Sequence, residues 1–265
     1  MMLDLQNVSV IFNANTVNEV RALQNLSLNV TEGEFITIIG ANGAGKSTLF
    51  NVIAGTIPLD SGRIFINGTN ITNLPEYKRS TQIGRVFQNP STGTCPGLTI
   101  RENFALAATR GKRRGLSSGV KASDHDWFYA LAESVDLGLE TRLDTDVALL
   151  SGGQRQAITL IMATMMKPRI LLLDEHTAAL DPNAAAQVIH LTVQLAKEHN
   201  LTVIMITHSM QQAVAVGNRT VMMDRGQVLL DIAGAERESL HYRDLIERFR
   251  ELRANAELSD RVLLS

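Results

Sequence analysis

The run Gly40-Ala41-Asn42-Gly43-Ala44-Gly45-Lys46-Ser47-Thr48 limits what this chain can fold into more than any other stretch. Its spacing is G-x-x-x-x-G-K-S, the pattern of a loop that wraps a phosphate group. The pattern carries weight only between a strand and a helix, and both are readable here. Glu34-Phe35-Ile36-Thr37-Ile38-Ile39 reads as a buried strand, and Ser47 to Ala54 can start a helix. Glycine at 40, 43 and 45 lets the backbone turn sharply and approach an anion. The loop N–H groups and the helix N-terminus then point at that anion. Lys46 can reach outer phosphates, and the Ser47 hydroxyl is a hard oxygen ligand suited to Mg²⁺.

Such a loop needs a sheet to hang from. Apolar runs with strand character occur at 3–12, 20–30, 63–68, 83–88, 170–173 and 201–206, and residues 220–230 read as two strands joined by a tight turn. The first two suggest a long hairpin, and Asn67-Gly68 is a turn signal. Helical patterns fall at 100–109, 126–137, 151–167, 182–200 and 211–217. Strands alternating with helices predict an α/β fold with a mainly parallel sheet covered on both faces. Ligands on such sheets bind beyond the C-terminal strand ends. The Gly-rich loop follows one strand, Asp174-Glu175 a second and Thr207-His208 a third, so three polar clusters are expected on one edge.

Pro90, Gly93, Pro96 and Gly97 mark a change of character, and residues from about 89 to 150 read as a helical insertion into a domain spanning 1–240. Within it Arg110-Gly111-Lys112-Arg113-Arg114-Gly115 reads as a basic loop, either simply solvated, the simpler reading, or facing a partner or lipid head groups. Residues 241–265 form a helical tail, where Leu245, Ile246, Phe249 and Leu252, with Leu240 just before, share a stripe expected to pack on the core.

Composition narrows the function classes. A net charge of −2 over 265 residues gives no bulk attraction for nucleic acid. One cysteine, Cys95, permits no internal disulfide framework and fits a reducing compartment; it reads as a small loop residue. The apolar runs near 158–166 and 170–173 are too short to span a bilayer, and Met1 to Asn7 lacks the pattern of a signal peptide.

Two further clusters carry chemistry. Asp174-Glu175 directly after an apolar strand offers one carboxylate for a metal ion and one to orient or deprotonate a water. In Leu150-Ser151-Gly152-Gly153-Gln154, Ser151 and Gln154 have capping-box spacing at a helix start. That hydroxyl and the bare N–H groups around two glycines make a second anion-seeking turn. Two such sites far apart in one chain can meet between two copies of it.

With these pieces in order, the chain resembles the ATP-binding subunit of an ABC transporter over nearly its whole length. The matching stretches are Gly40–Thr48, Gln88, Leu150–Gln154, the strand and acids Ile170–Glu175, Ala179-Leu180-Asp181, and His208. The resemblance implies a P-loop NTPase: a RecA-like α/β core with a parallel sheet, an N-terminal antiparallel β part and an inserted helical subdomain. It implies ATP and Mg²⁺ as ligands. Gly40, Asn42, Gly43, Ala44, Gly45, Lys46, Ser47 and Thr48 would bind the nucleotide. Ser47, Gln88 and Asp174 would face the metal, with Gln88 also linking the site to the helical subdomain. Glu175 would be the catalytic base and His208 would sense the γ-phosphate. Ser151, Gly152, Gly153 and Gln154 would face the nucleotide on a second copy, with Asp181 at the dimer interface, where it also suits a helix cap before Pro182.

Two departures stand out. Phe12 occupies the position of a tyrosine that stacks on adenine in the family, and Val20 or Arg21 across the hairpin could share that contact. His176 replaces a common proline; it is either a packed loop residue, the simpler reading, or a second titratable group near the γ-phosphate. The run 174–181, the Phe-Asn…Asn-Glu-Val-Arg-Ala-Leu start and Gly-Arg-Val-Phe-Gln are similar to stand-alone bacterial ATPases. Those work with a separate permease and a lipoprotein-like binding protein, and some are associated with aromatic amino-acid uptake. The implied protein is thus an importer's energy subunit: a homodimer peripheral to the cytoplasmic face of the cell membrane, served by an extracytoplasmic binding protein and binding no nucleic acid. An exporter or lipid-extrusion ATPase is the alternative. Non-transport ABC ATPases usually have paired cassettes, coiled coils or zinc cysteines; here there is one cassette, no long heptad run and one cysteine.

Overall fold

The computed structural model describes residues 1–112 and 119–263, and of residues 253–263 the backbone alone. The chain begins with β1 (Leu3–Phe12) and β2 (Val20–Val30). They pair antiparallel from Leu3↔Val30 to Phe12↔Val20, as the hairpin reading requires. Leu3, Leu5, Val8 and Val10 are buried on the inner face. β3 (Phe35–Gly40) leads into the Gly-rich loop and α1 (Lys46–Ala54). β4 (Ser61–Ile66) pairs with the other side of β1, and β5 (Thr69–Asn70) folds back on β4. The Asn67-Gly68 turn between them has positive φ at both residues, 48° and 74°, the geometry that matches strand twist. These four strands form an antiparallel sheet in the order β2-β1-β4-β5. With two residues, β5 has no periodicity for a sequence to display.

After the short α2 (Glu76–Arg79) come β6 (Ile83–Val86), α3 (Pro90–Gly93), α4 (Ile100–Ala108), α5 (His125–Glu133) and α6 (Gly152–Thr164). β7 (Ile170–Asp174), α7 (Pro182–Glu198), β8 (Thr202–Ile206), α8 (Met210–Ala215), β9 (Arg219–Asp224) and β10 (Gln227–Ala233) then complete the core. The second sheet has the order β10-β9-β3-β8-β7-β6, all parallel except the edge strand β10. Every residue of β8 and β9 is buried, which is why residues 203–206 and 221–223 read as continuous apolar runs rather than alternating ones. The α/β fold with a mainly parallel sheet is thus as expected.

α4 and α5 gather around an apolar cluster of their own, where the Phe104 and Phe128 rings meet edge-on at 5.7 Å. α6 serves two cores at once. Ile158, Ile161 and Met162 join that cluster, while Ala157, Leu160 and Ala163 pack with Val86, Leu171 and Leu173 of the sheet. A helix apolar on two faces is the expected outcome of that position. The basic-loop reading needs correction at Arg110: its side chain is half-buried and donates to the Met162 carbonyl at 3.3 Å, and burial lowers its pKa. Residues 113–115 of that reading lie outside the described residues.

α9 (Gly234–Glu238) and α10 (Tyr242–Leu263) close the chain. Leu240 and Leu245 are buried against Ile39, Ala213, Met222 and Ile232, with Phe249 and Leu252 packed over them. Arg237 donates to the carbonyls of Ala213, Val214 and Val216, placing a cation on the C-terminal end of α8. No helix among the described residues is long and apolar enough to cross a membrane.

Candidate functional site

The Gly-rich loop is braced on two sides. Gly45 caps α1 with φ 95°, and a Cβ there would lie 2.4 Å from the Ala22 carbonyl of β2. From the β9–β10 turn, Gly226 N–H donates to the Ala44 carbonyl at 3.0 Å, while Gln24 of β2 holds that turn through Gly226 and Arg225 carbonyls. The loop is therefore set before any ligand arrives. Lys46 is buried and curls back over it, donating to the Gly40 and Ala41 carbonyls at 2.8 and 3.0 Å. Burial lowers the lysine pKa, and the nearby Glu175 and Asp174 charges pull it back up. Asn42, Gly43 and Ser47 are exposed at the mouth, with Thr48 half-buried behind them.

β7 and β8 run parallel with Asp174 opposite Ile206, so both end on the same edge. Just past those ends, His208 Nε2 lies 2.6 Å from Glu175 Oε1, the carboxylate 12% exposed and the imidazole 47%. Glu175 has a left-handed backbone, φ 47°, and its N–H donates to the Ile206 carbonyl. A non-glycine residue in that region costs on the order of 1 kcal/mol, and such strain concentrates at functional sites. Gln212 of α8 ties the two loops together. Thr207 Oγ1 donates to Gln212 Oε1 at 2.8 Å, and Gln212 Nε2 donates to Thr177 Oγ1 at 3.3 Å. The lysine, both acids and the histidine thus converge on one edge, as the strand order predicts.

Asp174 has a neighbour that sequence reasoning did not assign: Arg85 of β6, whose Nη2 lies 3.6 Å from Asp174 Oδ2. Burial raises the Asp174 pKa, with Arg85 chief among the groups opposing it. The available signal was a charged residue inside a short buried strand. Gln212 left no signal, because its role depends on a bridge between two loops. Gln88 is exposed just past β6. The set Ser47, Gln88 and Asp174 is all oxygen with one carboxylate. It fits Mg²⁺ bound chiefly through phosphates and water rather than by a protein cage, and among the described residues no cluster of three or more His, Cys, Asp or Glu could hold a metal alone.

The other named residues lie elsewhere. Ser151 caps α6 in a complete capping box: Gln154 N–H donates to Ser151 Oγ, and Ser151 N–H donates to Gln154 Oε1, both at 3.2 Å. Ser151 and Gly152 are exposed, and among the described residues no hydrogen bond or ion pair joins Ser151–Gln154 to the Gly40–Thr48 loop. Asp181 caps α7, accepting from Asn183 and Ala184 N–H. Phe12 and Val20 face each other at the loop end of the hairpin, both exposed. His176 takes the packed reading: it is 2% exposed, and burial pushes its pKa down to about 4. Its Nε2 lies 3.1 Å from Thr192 Oγ1, which already donates to the Val188 carbonyl, so the histidine supplies the proton and carries it on Nε2.

Comparison with known proteins agrees with this geometry. The family model described as ABC transporter matches residues 23–178. The chain is 45% identical over 249 residues to a tyrosine transport ATP-binding protein of Clostridioides difficile, covering 94% of this chain and 98% of the relative. It is 36% identical over 231 residues to a methionine import ATP-binding protein of Bartonella henselae, covering 86% of this chain and 64% of that one. Among solved structures, a dimeric ATP-binding cassette in a post-hydrolysis state with ADP and Pi superposes with a TM-score of 0.74 at 30% identity, covering 88% of this chain and 98% of that one.

Proposed function

The chain belongs to the ABC transporter family, as an ATP-binding cassette and ATPase, and from that premise we propose that it powers an amino-acid importer by closing as a pair of copies around ATP. The observation that carries the proposed chemistry is the Glu175–His208 pair, 2.6 Å apart, at the edge where Lys46 opens the phosphate loop. When a nucleotide enters, Lys46 exchanges the Gly40 and Ala41 carbonyls for the outer phosphates, and the loop N–H groups hold the rest. Glu175 orients a water and takes its proton as the oxygen attacks the γ-phosphorus, and the bond from that phosphorus to the ADP oxygen breaks. His208 positions the Glu175 carboxylate and faces the phosphoryl group. Mg²⁺ held by Ser47, Gln88 and Asp174 would supply charge neutralisation of the phosphates. Ser151, Gly152 and Gly153 of a second copy cover the γ-phosphate, with Gln154 fixing their turn and Asp181 beside the interface. Phe12 offers the adenine a π-face.

The cassette pair would drive a separate membrane permease from the cytoplasmic face, fed by an extracytoplasmic binding protein. The amino-acid reading rests on relatives that are named for tyrosine transport and methionine import. Glu175→Gln tests the chemistry. The variant is expected to bind ATP, to lose about 10²–10⁴ in turnover, and to elute as an ATP-dependent dimer on size exclusion. Turnover at the wild-type rate would remove Glu175 from its role. Uptake of labelled tyrosine and methionine, with the permease encoded nearby, tests the solute.

A further inference from the structure

A charged side chain in a four-residue buried strand needs a reason. Arg85 sits in β6 between Gly84 and Val86, both buried. Its guanidinium is held from three sides. Nη2 donates to Asn51 Oδ1 of α1 at 2.8 Å, the same nitrogen lies 3.6 Å from Asp174 Oδ2, and the central carbon stacks 4.6 Å from the centre of the Phe87 ring. Nε is buried and has no partner among the described residues. The Arg85 and Asp174 side chains are only 13% and 15% exposed. The cation thus joins the helix behind the phosphate loop, the carboxylate at the end of β7 and the segment leading to Gln88.

We propose that Arg85 is a positioning residue that serves as the counter-ion of Asp174 and sets how tightly the site takes a divalent cation. This rests on the reading above that Asp174 faces Mg²⁺. Lys46 spends two of its three donors on the Gly40 and Ala41 carbonyls and acts on Asp174 through its charge alone, whereas Arg85 is, among the described residues, the cation within ion-pair distance of Asp174. A divalent cation arriving there shares one negative charge with a guanidinium that Asn51 and Phe87 prevent from swinging away. Two positive centres in a poorly solvated site repel, and salt screens them little. The protein's own affinity for the metal is held down, so the metal enters with nucleotide phosphates and not before them.

The test is Mn²⁺ titration of the full-length protein saturated with ADP, followed by electron paramagnetic resonance. Arg85→Met is expected to tighten Mn²⁺ binding about tenfold, the lower range for removing a like charge this close. Arg85→Gln, which can keep the bond to Asn51, should shift it the same way, and Arg85→Lys should stay within about twofold of wild type because it keeps the charge. Unchanged or weaker Mn²⁺ affinity in both neutral variants, with ADP affinity retained, overturns the proposal. Asp174→Asn separates the premise: a loss of about tenfold or more upholds Asp174 as the metal-facing acid, whereas no change removes that reading whatever Arg85 does.

Discussion

The two anion-seeking turns of this chain are built in opposite ways. The Gly40–Thr48 loop hangs from a buried strand, is braced by β2 and the β9–β10 turn, and holds its lysine desolvated over its own carbonyls. The Ser151–Gln154 turn stands in solvent at the start of α6 and satisfies itself through a reciprocal capping box. The first is a loop fixed in place by its neighbours. The second is held from within: its hydroxyl spends one lone pair on Gln154 N–H, and among the described residues its own O–H has no acceptor. A turn with a free donor and two exposed residues binds phosphate well only when another surface supplies the rest. In the proposed pair, a second copy of the chain, bringing a loaded Gly40–Thr48 loop, would supply it.

If the loop is complete in a single chain, its loss must show in the monomer. Lys46→Ala is expected to weaken ATP binding about 10–100-fold, the value of a charge-assisted contact to phosphate, measured by fluorescence of a labelled nucleotide at concentrations where the protein is monomeric. Unchanged affinity would break the contrast at its stronger end. A second way to sharpen it uses pH, because the segment after β7, on the same sheet edge as the loop, holds His176, buried and neutral, with its folded pKa near 4. Between the unfolded value near 6.5 and about 4 the unfolded chain binds the extra proton, so stability falls as pH falls through that window and is untouched above it. The loss attributable to His176 is about 2 kcal/mol by pH 5. Urea midpoints of wild type and His176→Gln at pH 7 and pH 5 measure it: the pH-dependent part should shrink in the variant. An equal drop in both would place the proton elsewhere.

Most of this contrast was legible in the sequence, and what was not has a common cause. Residues that act through backbone pattern were readable: the glycines of the loop, the S-x-x-Q box at Ser151, the Asp181-Pro182 cap and the polar clusters after β7 and β8. Phe104 and Phe128 could be assigned to helices, but that α6 would share their cluster while also covering the sheet depends on the angle at which it crosses. Arg85 and Gln212 were missed because each works through side-chain reach across elements far apart in sequence: Arg85 to Asn51 and Asp174, Gln212 to Thr177 and Thr207. Arg110 was misread as solvated because a basic run gives no sign of which member turns inward to the Met162 carbonyl. His176 could be narrowed to two readings and no further, since only the packing of α7 over it shows which applies.

The finest test concerns Ser151, where two roles rest on one hydroxyl. As a cap it accepts from Gln154 N–H; as the proposed phosphate contact it would donate across to a second copy. Ser151→Ala removes both, so by itself it decides nothing: a lost N-cap costs about 1 kcal/mol and should lower the melting temperature by about 2–4 °C in a protein of this size. Ser151→Asp separates them. Aspartate is as good a cap as serine, and its charge suits a helix N-terminus, so the melting temperature should return to the wild-type value. Its carboxylate has no proton to donate and repels a γ-phosphate. In the Glu175→Gln background, ATP-dependent dimerisation on size exclusion should therefore fail with Ser151→Asp while single-chain nucleotide binding stays as in the parent. Dimerisation at the parent's level, with the cap restored, would make this turn a structural cap alone and leave the Gly40–Thr48 loop without its proposed second half.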